Sequence, residues 1–415
     1  MMTTHNEWYR TRLVDRLLPS LLMTVPAISL VGPRGVGKTA TALQYAASVR
    51  RLNRPAEAVA FRADPYAVLP TLDEPALLDE WQETPQVLGA VKEAVDNDPR
   101  PGRFLLTGSV RVAYEKTWPA TGRVLRCPVY PWSQREIRQS DGDLLVDRLR
   151  SPNTDRLAPA PGESNMLDYL DMAAVGGLPE AVFTESSAIR DRWLRSYLAE
   201  LTHSDIQLTG ANPDRRRFTA YLQAVAASSG TVVEDATLCD VAHINRATAG
   251  SYDELLESVY FSEQVPAWWS DRLTRLTARP KRFLLDTSLM LASLNLNRDG
   301  VLRDSAVLGR VLETLVAMQL RPELAVAENT PVMSHLREKA GRREIDFVIE
   351  YADSAVAAIE VKATAAPDLS DARHLVWLRD TLSDRFCAGV VLHTGKYTLA
   401  LNDRIWAAPI STFWA

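Results

Sequence analysis

Residues 32–39, "GPRGVGKT", have the G-x-x-x-x-G-K-T spacing of a loop that holds phosphate groups. Its glycines let backbone N–H groups curve around a phosphate without side-chain clashes. Lys38 would place a positive charge beside the β- and γ-phosphates, and Thr39 would offer its hydroxyl to Mg²⁺. The apolar run "AISLV" precedes the loop, and "TATALQYAASVR" follows it as a predicted helix whose N-terminus would face the phosphate.

This context favours a nucleotide site over a plain glycine-rich turn, and ATP with Mg²⁺ is the expected ligand pair. The predicted nucleotide contacts are Gly32, Pro33, Arg34, Gly35, Val36, Gly37, Lys38, Thr39 and Ala40.

A Mg²⁺–nucleotide site also needs a carboxylate at the end of a neighbouring strand, and "ALLDEWQ" supplies it. Asp79 would hold the ion and Glu80 would polarise the attacking water. The alternative is an acidic turn after a buried strand. Ser109, at the end of "RFLLTGS", could sense the γ-phosphate or orient water, although a serine in a strand-end turn explains it nearly as well.

Two arginines in "TGRVLRCP", Arg123 and Arg126, are candidate arginine fingers. Such a residue acts on a neighbouring subunit only if subunits assemble, so a homo-oligomer is among the expected partners. An ordinary surface role is the alternative for each arginine.

A second constellation lies in "EIDFVIEYADSAVAAIEVKAT". An antiparallel hairpin with its turn centred on Asp353 places Asp346 opposite Glu360, and opposed Cβ atoms lie about 4.5–5.5 Å apart. Lys362 is two residues from Glu360 and shares its face. Ile345, Phe347, Ile349, Ile359 and Val361 are expected on the opposite, apolar face.

The chemistry of this set would be metal-dependent cleavage of nucleic acid. Asp346, Glu360 and a third carboxylate, Glu313 in the predicted helix "LGRVLETLVAMQL", would hold Mg²⁺. Lys362 would position water or stabilise the developing charge. The alternative is a charged hairpin face, because strands commonly carry glutamate and lysine on one side.

Composition sets broad limits. The chain has 415 residues, which suggests several domains, and 46% hydrophobic and 24% charged residues suit a globular protein. A net charge of −5 argues against non-specific coating of nucleic acid but permits a local basic groove. Three widely spaced cysteines, no signal-peptide pattern and no long apolar span predict a cytoplasmic protein outside the membrane.

The order of patterns predicts an α/β protein. Apolar runs "AISLVG", "AVAFRADP", "ALLDE", "RFLLTGS" and "RVLRCPVY" alternate with helical patterns, which favours a parallel sheet. Polar residues 138–164 suggest a linker, and a helix over 308–320 precedes strands near Pro331, Ile345 and Ala357. The predicted domains are an ATPase domain (1–140), a linker and helical lid-like region (141–212), a winged-helix-like region (213–300) and a nuclease-like domain (301–415).

The third region contains "DATLCDVAHINRATAGSYDELLESVYF", which has helix-turn-helix spacing. Its second helix would present Asn245, Arg246, Thr248 and Tyr252 to a DNA groove. Asp253 and other acids in that helix would oppose phosphates. Packing or subunit contact is therefore an equal alternative.

Basic runs at 214–218 and 272–282 could follow a phosphate backbone, but a solvated face is the commoner explanation. His203 and His243 lack partners at metal-ligand spacing, and no chemistry is assigned to Asp205.

The order "GPRGVGKT", "LLDEWQ", "LLTGS", "GRVLRCPVYPWSQREI" and "VGGLPEAV" resembles a family of bacterial and archaeal AAA+-type ATPases. Members carry a C-terminal domain of unknown function similar to PD-(D/E)XK nucleases. The resemblance covers nearly the whole chain and implies a cytosolic ATPase, a winged-helix segment and a nuclease-like end.

Two functions follow as alternatives. In the first, an ATPase controls a nuclease-like, Mg²⁺-dependent domain that acts on DNA or RNA. In the second, the protein is an ATP-driven switch or assembly protein whose C-terminal domain binds a partner or DNA without cutting. A weaker third reading is a DNA-binding regulator whose oligomeric state depends on ATP.

Overall fold

The computed structural model describes residues 9–109, 122–150, 164–202, 206, 211–270, 278–338 and 342–415. These residues form two compact units. The first comprises the described residues of Met1–Pro131, Glu200–Asn212 and Glu254–Phe261; the second comprises those of Trp132–Ala199, Pro213–Asp253 and Ser262–Ala415.

The first unit is a parallel sheet with helices between its strands. In chain order its elements are α1 (Leu18–Leu22), β1 (Ala27–Val31), α2 (Lys38–Leu43), β2 (Ser48–Arg51), α3 (Pro55–Ala63), α4 (Pro65–Val68), β3 (Ala76–Asp79), α5 (Gln86–Asn97), β4 (Phe104–Gly108) and β5 (Leu125–Pro128). The strand order is β2-β3-β4-β1-β5, and every pairing is parallel. The predicted α/β class and parallel sheet are confirmed.

Two local expectations in this unit are wrong. The predicted helix over "TATALQYAASVR" ends at Leu43, and Ser48–Arg51 is strand β2, because these residues pair with β3. The apolar run "AVAFRADP" is the end of helix α3, not a strand. Its buried Ala58 and Phe61 are three residues apart, which is helical spacing, and Pro55 suits the first turn of a helix.

The second unit combines helices with a larger sheet. Its elements are α6 (Gln134–Arg138), α7 (Leu145–Arg150), α8 (Met166–Val175), α9 (Pro179–Phe183), α10 (Ser187–Glu200), α11 (Arg215–Ala227), α12 (Asp235–Ala242), α13 (Arg246–Ser258), β6 (Ser262–Val265), β7 (Lys281–Leu284), α14 (Thr287–Leu294), α15 (Arg298–Leu302), α16 (Ser305–Val326), β8 (Val332–Arg337), β9 (Glu344–Glu350), β10 (Val356–Lys362), α17 (Arg373–Leu382), β11 (Phe386–His393), β12 (Leu399–Asn402) and β13 (Ile405–Pro409). The last residues of α10 and α13 belong to the first unit.

The six-stranded sheet of this unit has the order β12-β13-β11-β10-β9-β8 and mixes parallel and antiparallel pairs. Val348, Ala358 and Val391 from its strands pack with Leu375 and Leu378 of α17 in one buried cluster. The predicted helix and three strands at the C-terminal end are present, although α16 extends to 22 residues.

Part of the predicted linker over 138–164, residues 151–163, lies outside the described residues. Helix α7 lies inside the same predicted linker, and Leu145, Val146 and Leu149 are buried. Helices α8 to α10 lie within the region 141–212, for which a linker and helical lid-like region was predicted. Helices α12 and α13 followed by the β6–β7 hairpin keep the order expected of a helix-turn-helix with a wing. The winged-helix assignment and the four domain boundaries remain predictions.

Candidate functional site

The phosphate-binding sequence forms a tight loop between β1 and α2. A Cβ atom at Gly32 would lie 2.0 Å from the carbonyl oxygen of Val129, so only glycine fits there. Gly37, immediately before α2, has φ +96°, a left-handed conformation that glycine adopts without steric penalty. These two positions explain why the loop needs its first and last glycine.

Lys38 is buried at the first residue of α2. Its Nζ donates hydrogen bonds to the carbonyl oxygens of Gly32 (2.9 Å) and Pro33 (2.8 Å), within the loop itself. The ammonium is thereby held inside the curve of backbone where a phosphate would bind.

Asp79 ends strand β3 and is buried. The Thr39 hydroxyl donates a 2.6 Å hydrogen bond to its Oδ1. The Thr107 hydroxyl, on the neighbouring strand β4, donates a second bond of 2.6 Å to the same oxygen. The structure thus brings Thr39 and Asp79 together as expected and adds Thr107, which the sequence reasoning missed.

Glu80 follows Asp79 in a left-handed conformation, with φ 53° and ψ 48°. Its backbone N–H donates to Thr107 Oγ1 at 3.2 Å, and Gln82 Nε2 donates to its carboxylate. A left-handed conformation is unfavourable by about 1–2 kcal/mol for a residue with a Cβ atom. Such strain is concentrated at functional positions, which supports a role for this carboxylate.

The other candidates near this site have mixed outcomes. Ser109 is buried just after β4. One glycine separates it from Thr107, the residue that bonds to Asp79. Arg123 is half-exposed and pairs with Asp96 at 2.8 Å, and Arg126 is exposed on β5. Finger roles for Arg123 and Arg126 remain predictions.

A buried arginine outside the motif supports the loop. Arg12 donates from Nη1 to the carbonyl oxygen of Val36 (2.7 Å) and from Nη2 to that of Tyr130 (2.8 Å). It therefore ties the phosphate loop to the segment after β5. Position 12 is only 3% exposed, and its distance from the motif in sequence explains why it was missed.

The residues of this site fit a Mg²⁺–ATP complex. The glycine cradle leaves room for phosphate, Lys38 provides a positive charge, and the Thr39 hydroxyl and Asp79 carboxylate supply the hard oxygen atoms that Mg²⁺ prefers.

The C-terminal hairpin has the predicted register. Strands β9 and β10 pair from Glu350–Val356 to Phe347–Ile359, so Asp346 and Glu360 are the next residues along the two strands. The backbone N–H of Val361 donates to Asp346 Oδ2 at 2.8 Å.

The expectation of one polar and one apolar face is wrong. Between the pairs Ser334–Val348 and Leu336–Ile345, β9 contains one residue more than β8. This bulge shifts the alternation, and Ile345 joins Val348 in the core cluster beneath α17. Val356 and Ala358, on the face that carries Glu360, are buried in the same cluster.

The carboxylates do not converge on one open position. Lys281, the first residue of β7, has a side chain only 1% exposed, and its Nζ lies 2.8 Å from Glu313, 3.3 Å from Asp346 and 3.5 Å from Glu344. Within the described residues, no three His, Cys, Asp or Glu side chains are arranged to hold a metal ion.

Glu360 has different neighbours. Lys362 Nζ donates to its Oε2 at 3.0 Å, and His374 Nδ1 on α17 lies 3.5 Å from its Oε1. The structure therefore places Glu360 beside Lys362, as predicted. Glu360 is paired with Lys362, whereas Glu313 is paired with Lys281.

The electrostatics reflect deep burial. Burial, followed by repulsion from Asp346, raises the pKa of Glu313 well above its usual value. The same two causes raise the pKa of Glu360. Burial alone would lower the pKa of Lys281, but the surrounding carboxylates outweigh it and raise the pKa, so the ammonium stays charged.

The predicted recognition helix presents only some of its expected residues: Asn245 and Arg246 are exposed, whereas Tyr252 and Asp253 are buried. Tyr252 packs edge-on against Phe218 and Tyr221, and Asp253 pairs with Arg282 at 2.6 Å inside the unit. Asn245 accepts a hydrogen bond from the backbone of Thr248 (2.8 Å) and shapes the start of α13.

The basic run at 272–282 does not end on a solvated face. Lys281 and Arg282 are both buried in ion pairs, which corrects that interpretation for these two residues. Positions 271–277, like His203 and Asp205, lie outside the described residues. Arg215, Arg216 and Arg217 at the start of α11 are exposed.

Among the helices that the structure describes, none combines the length and the apolar character needed to cross a lipid bilayer.

Three family models match successive parts of the chain. Residues 24–138 match an AAA domain, residues 166–300 a domain of unknown function (DUF8612) and residues 308–413 another domain of unknown function (DUF4143). Two similar relatives are the uncharacterized protein Mb2031c of Mycobacterium bovis and the uncharacterized protein Rv2008c of Mycobacterium tuberculosis. Each is 23% identical over 398 residues, which is 94% of this chain and 81% of the relative.

Among solved structures, the Walker-type ATPase PABY2304 of Pyrococcus abyssi is 13% identical, with a TM-score of 0.44, over 71% of this chain and 98% of its own. Protein VC1899 from Vibrio cholerae is 11% identical, with a TM-score of 0.19, over 93% and 95% of the two chains. Neither TM-score is high enough to establish a common fold. The AAA match over 24–138 and the loop geometry together assign a P-loop ATPase domain to the N-terminal part of this chain.

Proposed function

We propose that this protein binds ATP with Mg²⁺ and hydrolyses it. The observation that carries the proposal is the 2.6 Å hydrogen bond between the Thr39 hydroxyl and Asp79, together with the ammonium of Lys38 held inside the phosphate loop. This contact brings together the loop hydroxyl and the strand-end carboxylate that such ATPases use for the metal ion.

Each residue has a distinct proposed role. Thr39 and Asp79 would hold Mg²⁺, which would neutralise phosphate charge when bound. When nucleotide binds, the Lys38 ammonium would exchange its hydrogen bonds to two loop carbonyls for hydrogen bonds to phosphate oxygens. Hydrogen bonds between charged partners are stronger than those to neutral carbonyls. Glu80 would orient the attacking water, and Ser109 would contact that water or the γ-phosphate.

The remaining proposals concern assembly and location. Arg123 and Arg126 are proposed arginine fingers in a homo-oligomer, with Arg123 leaving Asp96 on assembly. A cytoplasmic location is proposed from the sequence features given above.

The proposal can be tested with the substitution Lys38→Ala. We expect loss of nucleotide binding and of ATP turnover, because the phosphate charge loses its partner. Lys92→Ala, which changes a partly buried lysine on α5, is the matched control and should keep both. Unchanged hydrolysis in the Lys38 variant would overturn this assignment.

For the C-terminal part we propose a nuclease-like domain that binds DNA, RNA or a protein partner under control of the nucleotide state and does not cut. The buried ion pairs of Glu313 and Asp346 with Lys281 support this alternative over the Mg²⁺-dependent nuclease. An ion-paired carboxylate is a poor starting point for metal-assisted hydrolysis.

This second proposal predicts no cleavage. Purified protein should leave DNA and RNA intact in Mg²⁺ or Mn²⁺, with or without ATP. Cutting that disappears in the double variant Asp346→Ala, Lys362→Ala would instead establish the nuclease.

A further inference from the structure

The acidic residues of the C-terminal domain already surround a positive charge. Lys281 Nζ hydrogen-bonds to Glu313 Oε1 at 2.8 Å and to Asp346 Oδ1 at 3.3 Å, and Glu344 is its third carboxylate neighbour at 3.5 Å. Breaking a buried ion pair by removing one partner is strongly destabilising, because the remaining charge has no compensation. The ammonium is therefore an integral part of the cluster.

The backbone holds Lys281 in this position. Lys281 pairs with Val265 in the β6–β7 hairpin, and the next residue but one, Phe283, stacks on Phe347 of β9 with ring centroids 5.5 Å apart. The ammonium cannot withdraw by a simple change of rotamer, since its whole side chain is enclosed.

The Glu313 side of the cluster is also closed. A Cβ atom added to Gly230 would lie 3.2 Å from the Glu313 carboxylate, so the backbone at Gly230 already packs against it. Gly230 N–H in turn donates to the carbonyl oxygen of Arg282 at 2.8 Å, which fixes this backbone to β7.

Two further carboxylate oxygens around the cluster have protein donors. Asp346 Oδ2 accepts from Val361 N–H (2.8 Å), and Glu360 Oε2 accepts from Lys362 (3.0 Å). Mg²⁺ requires near-octahedral oxygen ligands at about 2.0–2.1 Å, and a positive charge that already contacts two of the carboxylates repels it. These residues, as arranged, do not fit Mg²⁺.

We infer that Lys281 is the resident cation of this cluster and that the wild-type protein binds no divalent cation at Glu313 and Asp346. The inference goes beyond the proposed function, because a domain could fail to cut and yet still hold a metal ion. It attributes the absence of metal binding at this cluster to one residue on a separate hairpin.

Mn²⁺ binding, measured by electron paramagnetic resonance without nucleotide, tests the inference directly. All proteins would carry Asp79→Asn, which removes a carboxylate of the nucleotide site. The background protein should bind no Mn²⁺ at the cluster. Adding Lys281→Met removes the charge at similar length and should create one site, at least about tenfold tighter than any site in the background. Adding Lys281→Arg keeps the charge and should create none.

Thermal unfolding gives an independent reading, since a ligand that binds only the folded state raises Tm. Mn²⁺ should raise the Tm of the Lys281→Met protein more than that of the Lys281→Arg protein. If Lys281→Met does not fold, the background and Lys281→Arg proteins still test whether the cluster binds Mn²⁺ when position 281 carries a positive charge. Mn²⁺ bound by the background protein and lost on adding Asp346→Asn would overturn the inference, whether or not the protein cuts nucleic acid or hydrolyses ATP.

Discussion

Thr107 fixes Asp79 from the neighbouring strand, through a 2.6 Å hydrogen bond from its hydroxyl to Oδ1. Strands β3 and β4 pair in register up to Leu78 and Leu106. Asp79 and Thr107 are the next residues on the two strands, so they lie at the same edge of the sheet. Thr107→Val should remove this bond while keeping the shape of the side chain.

A hydrogen bond to a charged group contributes about 1.5–3 kcal/mol, so we expect ATP turnover by Thr107→Val to fall by about tenfold to a hundredfold. Steady-state phosphate release measures it. Thr107→Ser restores the hydroxyl and should recover most of the rate. Equal rates in the valine variant and wild type would show that Asp79 needs no such support.

Arg12 bridges the carbonyl oxygen of Val36, inside the phosphate loop, and that of Tyr130, after β5. Lysine cannot reproduce this forked contact, so Arg12→Lys should weaken ATP binding, and Arg12→Ala should weaken it further. Calorimetric titration with a non-hydrolysable ATP analogue measures the effect. Arg16→Ala, at an exposed position nearby, should bind like wild type. Wild-type affinity in Arg12→Ala would contradict the proposed support.

His335 gives the second unit a defined pH dependence. Burial, followed by repulsion from Lys281, lowers the pKa of this ring to about 4. The unfolded chain has the ordinary pKa of about 6.5 and takes up the proton first. The contribution of His335 to stability should therefore fall as pH falls from about 6.5 to about 4, with a limiting slope of about 1.4 kcal/mol per pH unit for this group.

Denaturant unfolding at several pH values tests this expectation. In that window the slope of stability against pH should be less positive in His335→Gln than in wild type, whereas His243→Gln, at an exposed position, should follow wild type. Identical slopes in all three proteins would mean that His335 is not the group responsible.

The pair Arg282 and Asp253 is a buried contact of the second unit, with guanidinium and carboxylate 2.6 Å apart. Arg282→Leu leaves Asp253 and the Tyr221 hydroxyl, which also bonds to it, without their cation. We expect a loss of about 3–5 kcal/mol in the free energy of unfolding. Arg298→Leu breaks a half-exposed pair with Asp171 and should have little effect. If chemical denaturation gave similar losses of unfolding free energy for Arg282→Leu and Arg298→Leu, the buried pair would contribute no more than the half-exposed one.

Local patterns in the sequence predicted a tight glycine-containing loop before α2, because the glycine spacing around Lys38 itself imposes the loop. Thr107 was missed in favour of Ser109, although a threonine inside the apolar strand "FLLTG" is a usable signal. Its significance depends on the pairing of β3 with β4, which no local pattern contains.

Lys281 was missed for a related reason. In sequence it lies near the end of a basic run, and such runs are usually solvated. Only tertiary contacts with α16 and β9 bring Glu313 and Asp346 to it. The register of the β9–β10 hairpin was predictable because alternation and a short turn define it. The bulge that shifts Ile345 was not, since it arises between β9 and β8.

Glu80 has a left-handed backbone that asparagine or glycine would adopt more easily. Replacing it by asparagine should therefore raise thermal stability while removing the carboxylate proposed to orient water. A selection for heat resistance alone would favour inactive proteins at this position, and a carboxylate kept there in a stable variant would indicate continuing demand for ATP turnover.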